Sequence, residues 1–241
     1  MKQFAIIGLG AFGRHVLDEL VRLNFEVLVI DRDPAVIDSF KDKAASAFAA
    51  NAADAETLRQ ILPASTDAVI IGFETSLEAS ILVTSHCKKM GIRTIVAKAF
   101  SEEHADILEI VGATRVVLPE KEAARRLTPQ LLSSALLNYL PISPDLVIAE
   151  VGIPEQLVGL TSIEANLRAK FNVNVIAIKA WPREEYEFFS PDCRFGPDDV
   201  ALVAGREERV VAFAGGVQSR QRGTGVQKFF RHFFPNSKKK Q

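Results

Sequence analysis

The chain has 241 residues and a formal net charge of −1, with 48% hydrophobic and 24% charged residues. It is long enough for one large domain or two small ones and has the composition of an ordinary globular protein. No apolar run approaches the ~18 residues of a membrane-spanning helix, no signal-peptide pattern opens the chain, and two distant cysteines, Cys87 and Cys193, support neither a disulfide framework nor a zinc site. The expected location is the cytoplasm. Charge is unevenly spread: residues 220–241 hold seven cations and no acid, leaving 22 of the 29 basic residues against 30 acidic ones. An acidic body carries a basic tail.

Phe4 to Ile7 reads as a short buried strand, and Gly8, Gly10 and Gly13 follow at G-x-G-x-x-G spacing with Ala11 and Phe12 between them. After Arg14, apolar residues at Val16, Leu17, Leu20, Val21 and Leu23 repeat with helical periodicity. Glycines at this spacing also mark ordinary turns. A strand before them and a helix after them give the context in which they bind a nucleotide: a sharp turn at Gly8, bare backbone for a phosphate at Gly10, close helix packing at Gly13. The helix start adds unpaired N–H groups and a positive dipole end. A second strand, Glu26 to Ile30, ends in Asp31, where a carboxylate can accept hydrogen bonds from both ribose hydroxyls. Asp31 also disfavours a 2′-phosphate, and Arg32 beside it offsets that only slightly.

Asp33 and Pro34 read as the cap and first residue of a helix running to about Lys43. Strands are expected at 45–50, 67–72, 92–97 and 114–118, with helices over 55–61 (capped by Asp54), 77–90 and 101–110 (capped by Ser101). Six strands alternating with helices at short spacing predict an α/β domain of the Rossmann type, a doubly wound parallel sheet. Residues 120–140 read as one long crossover helix bent at Pro129. Its leucines at 127, 131, 132, 136, 137 and 140 are more than a solitary surface helix should expose, which favours packing on another subunit. Pro141 and Pro144 then read as a linker. Beyond it, strands at 147–151, 173–178, 187–189 and 200–204 with helices at 163–171 and 207–213 form a small α+β lobe. The domain plan is therefore 1–119, 120–141, 142–216 and a tail, 217–241.

These residues carry a resemblance. The order G-L-G-x-F-G, V-I-D, N-A, L-P-E-K and L-R-A-K-F-N-V-N-V-I-A-I resembles, over residues 1–215, the RCK proteins, gating subunits of Ktr and Trk potassium transporters and domains of potassium channels. The resemblance implies a cytosolic, non-enzymatic regulatory subunit, peripheral on the inner face of the membrane through an integral-membrane potassium channel subunit. It implies homodimers assembled into an octameric ring whose shape is set by ATP or ADP, or in some Trk members by NAD(H). Gly8, Gly10 and Gly13 would face the phosphates and Asp31 the ribose, with Asn51 and Ala52 at the adenine and Gly72, Glu74 and Lys98 on the phosphate side. Glu120 matches a glutamate that reaches the neighbour's nucleotide and helps hold a divalent cation, Mg²⁺ or Ca²⁺. Ktr subunits often carry arginine at the position of Ala11, for the γ-phosphate; Arg14, one turn on, is the available substitute. The C-terminal lobe is also similar to lobes that bind cyclic di-AMP, through Ile163, Arg168, Asn174, Val175 and Ile176. The alternative is that 173–178 is a plain core strand and Arg168 a helix-surface residue.

His15, His86, His104 and His232 are scattered and read as surface or capping residues. In the tail, Phe229, Phe230, Phe233 and Phe234 share one helical face among Lys228, Arg231 and His232, ahead of Lys238 to Lys240. Aromatics with cations over 226–240 suit an anionic membrane surface or a channel's cytosolic face; the alternative is packing on the C-terminal lobe or a neighbouring subunit. Nucleic acid is a poor third against an acidic body. The rival to a regulatory subunit is a small NAD-dependent oxidoreductase, which needs an acid–base group beside the nicotinamide. No Tyr-x-x-x-Lys or His/Asp pair supplies one.

Overall fold

The computed structural model describes residues 2–183, 185–188, 190 and 192–215. The tail at 217–241, with its expected membrane-side helix and His232, lies outside the described residues, as does Phe189 of the strand expected at 187–189. The chain forms two compact units that part between Lys121 and Glu122.

The first unit alternates β1 (Phe4–Ile7), α1 (Ala11–Arg22), β2 (Val27–Asp31), α2 (Pro34–Phe40), β3 (Ser46–Ala49), α3 (Ala55–Ile61), β4 (Ala68–Ile71), α4 (Leu77–Lys89), β5 (Thr94–Lys98), α5 (Glu102–Val111) and β6 (Arg115–Val117). The six strands are parallel in the order β3-β2-β1-β4-β5-β6. Alternation along each strand explains why helices cover both faces. Ala5, Ile7, Val69 and Ile71 pack with Leu58, Val83, Cys87 and Leu108 of α3, α4 and α5. Ile6, Val27, Val29 and Ile70 face the other way, onto Leu17 of α1 and Ile37 of α2. Ala5, Ile6 and Ile7 of β1 are therefore all buried and Phe4 partly so, and a central parallel strand becomes a continuous apolar run. The expected caps form: Asp33, Asp54 and Ser101 accept from the N–H groups of Ala35, Thr57 and His104 at 2.9, 2.8 and 3.2 Å.

The region expected as one helix over 120–140 is different. Helix α6 spans Pro119–Leu132 and contains Pro129, and a strand, β7 (Leu136–Ser143), follows it. Pro141 lies inside that strand rather than in a linker, and β7 pairs antiparallel with β8 (Leu146–Gly152) through a tight turn holding Pro144. An edge strand tolerates proline because one of its sides donates no ladder hydrogen bonds. Leu136 and Tyr139 are buried in the second unit's core with Val151, Val203 and Phe213. Leu127, Leu131 and Leu132 of α6 remain exposed, at 54, 75 and 45%.

The second unit continues with α7 (Ser162–Ala165), α8 (Leu167–Phe171), β9 (Val173–Lys179), β10 (Glu187–Phe188), β11 (Val200–Gly205) and α9 (Glu207–Ala214). Its antiparallel sheet has the order β10-β9-β11-β8-β7. The helix expected over 163–171 is two short ones. Thr161 and Glu164 form a capping box at the start of α7, and Asn166, at φ +47°, breaks the run before α8. Asparagine is among the few non-glycine residues that enter the left-handed region at low cost.

Candidate functional site

In the first unit the strand order reverses at β1 and β4, which opens a crevice at the carboxyl ends of the strands. Gly8 leaves β1 with φ +88° and donates to the Ile30 carbonyl at 2.8 Å, tying the turn to β2. Gly13 lies against the Gly8 carbonyl oxygen so closely that a Cβ there would overlap it. A Cβ on Gly72, just past β4, would stand 2.9 Å from the same oxygen and 3.2 Å from the Gly13 Cα. Three backbones thus pack without intervening side chains, and α1 starts at the crevice.

Asp31 is engaged on both oxygens: Oδ2 accepts from the Leu9 N–H at 2.7 Å and Oδ1 from the Asp33 N–H at 3.0 Å. A carboxylate has about four acceptor positions, so two remain for a ligand. Arg14 donates from Nε to the Leu9 carbonyl at 2.6 Å, and its guanidinium carbon lies 5.2 Å from the centre of the Phe40 ring. The Ala11 N–H, at the start of α1, donates to the carboxylate of Glu74 from the β4–α4 loop.

The resulting cleft has a volume of about 260 Å³ and is lined by Gly8, Gly10, Arg14, Asp31, Arg32, Asn51, Ala52 and Glu74 among the expected residues. Ala11, Phe12, Gly13 and Gly72 are not in its lining; the last two form the packed backbone behind it. Lys98 and Glu120 do not line it either. Their strands and turns lie one and two places beyond β4, and their side chains pair with each other at 2.9 Å. The Lys98 side chain is only 10% exposed and that of Glu120 73%. The Lys98 ammonium, chiefly by its hydrogen bond, holds the Glu120 carboxyl below the usual carboxylate range. Among the described residues no three His, Cys, Asp or Glu side chains gather where they could share a metal ion. Phe73, Thr75 and Ser76 also line the cleft and were not expected there. The signal available for them was topological, since the loops after adjacent central strands border the crevice.

Residues 4–119 match the TrkA-N domain. The Ktr system potassium uptake protein C of Bacillus subtilis (strain 168) is 32% identical over 178 residues, covering 74% of this chain and 80% of that protein. The chain belongs to the Ktr family. Ktr system potassium uptake protein A of the same organism is 33% identical over 178 residues, with the same coverage of 74% and 80%, and its counterpart in Vibrio alginolyticus is 29% identical over 181 residues, covering 75% and 82%. In fold, the chain is similar to the GsuK RCK domain, with a TM-score of 0.62 at 18% identity, covering 89% of this chain and 48% of that one. It is similar too to the GsuK channel bound to NAD, with a TM-score of 0.60 at 16% identity. The chain spans about two-fifths of that protein, 39%. At these identities the likeness is one of fold.

In the second unit of this Ktr-family chain, Ile163, Arg168, Asn174 and Val175 line a cleft of about 330 Å³ together with Ser162 and Asn166. Ile176 is not among its lining residues. Ile163 is 68% exposed at its mouth, and Asn166 enters it from the break between α7 and α8.

Of its two expected readings, surface or capping, His104 is not on the surface. It is 1% exposed, stacked on Phe100 with ring centroids 5.1 Å apart. The Phe100 N–H donates to Nδ1 at 3.2 Å, which assigns the proton to Nε2 and makes it the donor to Ser80 Oγ at 2.9 Å; that hydroxyl in turn donates to the Leu77 carbonyl at 2.7 Å. Burial holds the imidazole pKa below its ordinary value. The unfolded chain therefore binds the extra proton first as pH falls. This neutral histidine's contribution is full above about pH 6.5 and is lost as pH drops below it. Thermal unfolding of His104→Gln, whose amide keeps a donor toward Ser80, should depend less steeply on pH between 7 and 5 than the wild-type chain. Equal slopes would show that His104 does not contribute.

Proposed function

We propose that this chain is a nucleotide-sensing regulatory subunit of a potassium uptake system. The supporting observation is the crevice at the β1/β4 reversal, where the glycine turn, the start of α1 and Asp31 converge in a chain of the Ktr family. The residues suit an adenine nucleotide: Asp31 retains acceptor positions for ribose hydroxyls, Asn51 and Ala52 border the space beside it, and Arg14 and the bare backbone at Gly10 stand on the phosphate side. ATP or ADP is the ligand proposed, with NAD(H) as the other member of the class; one neighbour in fold, the GsuK channel, is solved with NAD. Nucleotide would act by binding two states of a homo-oligomeric ring with different affinity. The ring, an octamer assembled from homodimers by resemblance, would bear on a membrane channel subunit of the Ktr or Trk type. Glu120 would then meet a neighbour's nucleotide and share Mg²⁺ or Ca²⁺ with groups from that neighbour. No described helix is long and apolar enough to cross a membrane, so membrane attachment is proposed to come from the partner subunit, with the tail at 226–240 as an added surface contact. The role is non-enzymatic.

Calorimetric titration of the full chain with ATP, ADP, NADH and NAD, with and without Mg²⁺ or Ca²⁺, tests this reading. One ligand pair should differ clearly in affinity. Equal affinity for all of them removes the switch, and binding of none removes the nucleotide role.

The cleft in the second unit favours a second ligand, cyclic di-AMP, because Arg168 shares its lining with the polar Asn166 and Asn174 and the apolar Ile163 and Val175. Micromolar binding by the wild-type chain, lost in Arg168→Ala, is the expected result. A silent titration of the folded wild-type chain rules it out.

A further inference from the structure

We infer that Glu74 is a specificity-determining residue of the nucleotide cleft: its tethered carboxylate occupies the place at the start of α1 that a ligand phosphate needs. This rests on the nucleotide reading above and deepens it. The first N–H groups of a helix have no partner within it, and the positive end of the dipole draws an anion there. In α1 nothing local supplies one. The cap residue is Gly10, which has no side chain, and the first turn contains no acid. The anion that comes is Glu74, from 63 residues away, accepting from the Ala11 N–H.

Its position is that of a phosphate in such a crevice. A Cβ placed on Gly10 would stand 2.8 Å from the Glu74 Cδ and 3.0 Å from Oε1, so the carboxylate lies directly over the bare glycine backbone. That backbone is what allows a phosphate to approach a glycine turn. Glu74 and phosphate therefore compete for one surface. The side chain is exposed, sits in the loop between β4 and α4, and has no ion-pair partner among the described residues. It can rotate away at the cost of one hydrogen bond, but it remains a negative charge within a few ångströms of the incoming phosphates. The consequence is selective. Adenosine meets Asp31 and the adenine side without touching this place, whereas every added phosphate near the turn meets a competing carboxylate.

The test compares adenosine and ADP by calorimetry on the full chain, in chelator so that no divalent cation bridges the two anions. Wild-type, Glu74→Gln and Glu74→Ala are measured. Gln removes the charge and keeps an acceptor; Ala removes both. Displacing a like charge at such range is worth about tenfold in affinity. Both variants should bind ADP about tenfold more tightly, Ala at least as tightly as Gln, with adenosine unchanged within about twofold. ADP binding that is unchanged or weaker in the variants while adenosine still binds would overturn the competitor role and leave the nucleotide reading intact. An equal gain for adenosine would overturn it as well, by making the effect one of the loop rather than of phosphate. Absence of both ligands from all three proteins overturns the nucleotide reading itself.

Discussion

Gly13→Ala should cost the first unit about 3 kcal/mol or more of stability, seen as a fall of about 6–12 °C in its thermal unfolding. Two effects oppose each other. Alanine is the better helix former by about 1 kcal/mol, and Gly13 lies inside α1. Against that, its new Cβ would overlap the Gly8 carbonyl oxygen and come within 3.3 Å of the Ile6 Cγ2. The obstacle is backbone, and it cannot rotate away. Gly8 is itself fixed by its bond to Ile30 and by φ +88°, and the backbone of Gly72 packs against it so closely that a Cβ on Gly72 would stand 2.9 Å from the same carbonyl oxygen. Relief requires moving α1 off the sheet, which opens the core around Leu17 and Ile37. Overpacking therefore wins. Gly10→Ala is the control, since the atoms nearest its Cβ belong to the exposed Glu74 side chain rather than to backbone, and its unfolding should stay within about 1 kcal/mol of wild type. Far-UV circular dichroism of the full chains measures both. A Gly13→Ala chain as stable as Gly10→Ala would mean that the turn is not packed as described.

The contrast between those glycines shows what could be read from the chain and what could not. The central strands β1 and β4 were legible because a parallel strand covered on both faces is apolar at every position, as Phe4–Ile7 and Ala68–Ile71 are. The helices announced themselves through local caps such as Asp33 and Asp54. Strand β7 gave no such signal. Leu136 to Leu140 are residues that helices also favour, and the choice was made at long range, by pairing with β8 and by burial of Leu136 and Tyr139 in the second unit's core. The site divides in the same way. Asp31 was legible because its distance from the glycines is set by one helix and one strand. Lys98 was expected on the phosphate side and Glu120 at a neighbour's nucleotide; within this chain the two pair with each other outside the cleft, because the strand order carries β5 and β6 away from β1. Glu74 was expected near phosphate; that it would itself occupy the start of α1 depends on the path of an exposed loop. The burial of His104 was not legible because a lone histidine carries no sequence mark of the hydroxyl waiting on α4.

Asp31→Asn should weaken ADP binding about 10–100-fold and also lower the unfolding temperature by about 4–8 °C. The two losses have separate causes, and the geometry allows them to be separated. The carboxylate accepts from Leu9 N–H with one oxygen and from Asp33 N–H with the other, so it joins the glycine turn to the end of β2. Asparagine has one acceptor oxygen and must turn an NH₂ toward one of those donors, forfeiting a charge-assisted bond worth about 1.5–3 kcal/mol. In a chain of this size each kcal/mol moves the transition by about 2–4 °C. A ligand loss from that source alone would be indifferent to which hydroxyls the nucleotide carries. Direct contact would not be. Wild-type chain should therefore prefer ADP over 2′-deoxy-ADP by about tenfold, one charge-assisted hydrogen bond at 1.4 kcal/mol per decade, and Asp31→Asn should lose that preference. Measured by calorimetry well below the transition of both proteins, a preference that survives the substitution would confine Asp31 to holding the turn. Its disappearance assigns the two free acceptor positions of the carboxylate to the ribose, and with them the orientation of the nucleotide across the crevice.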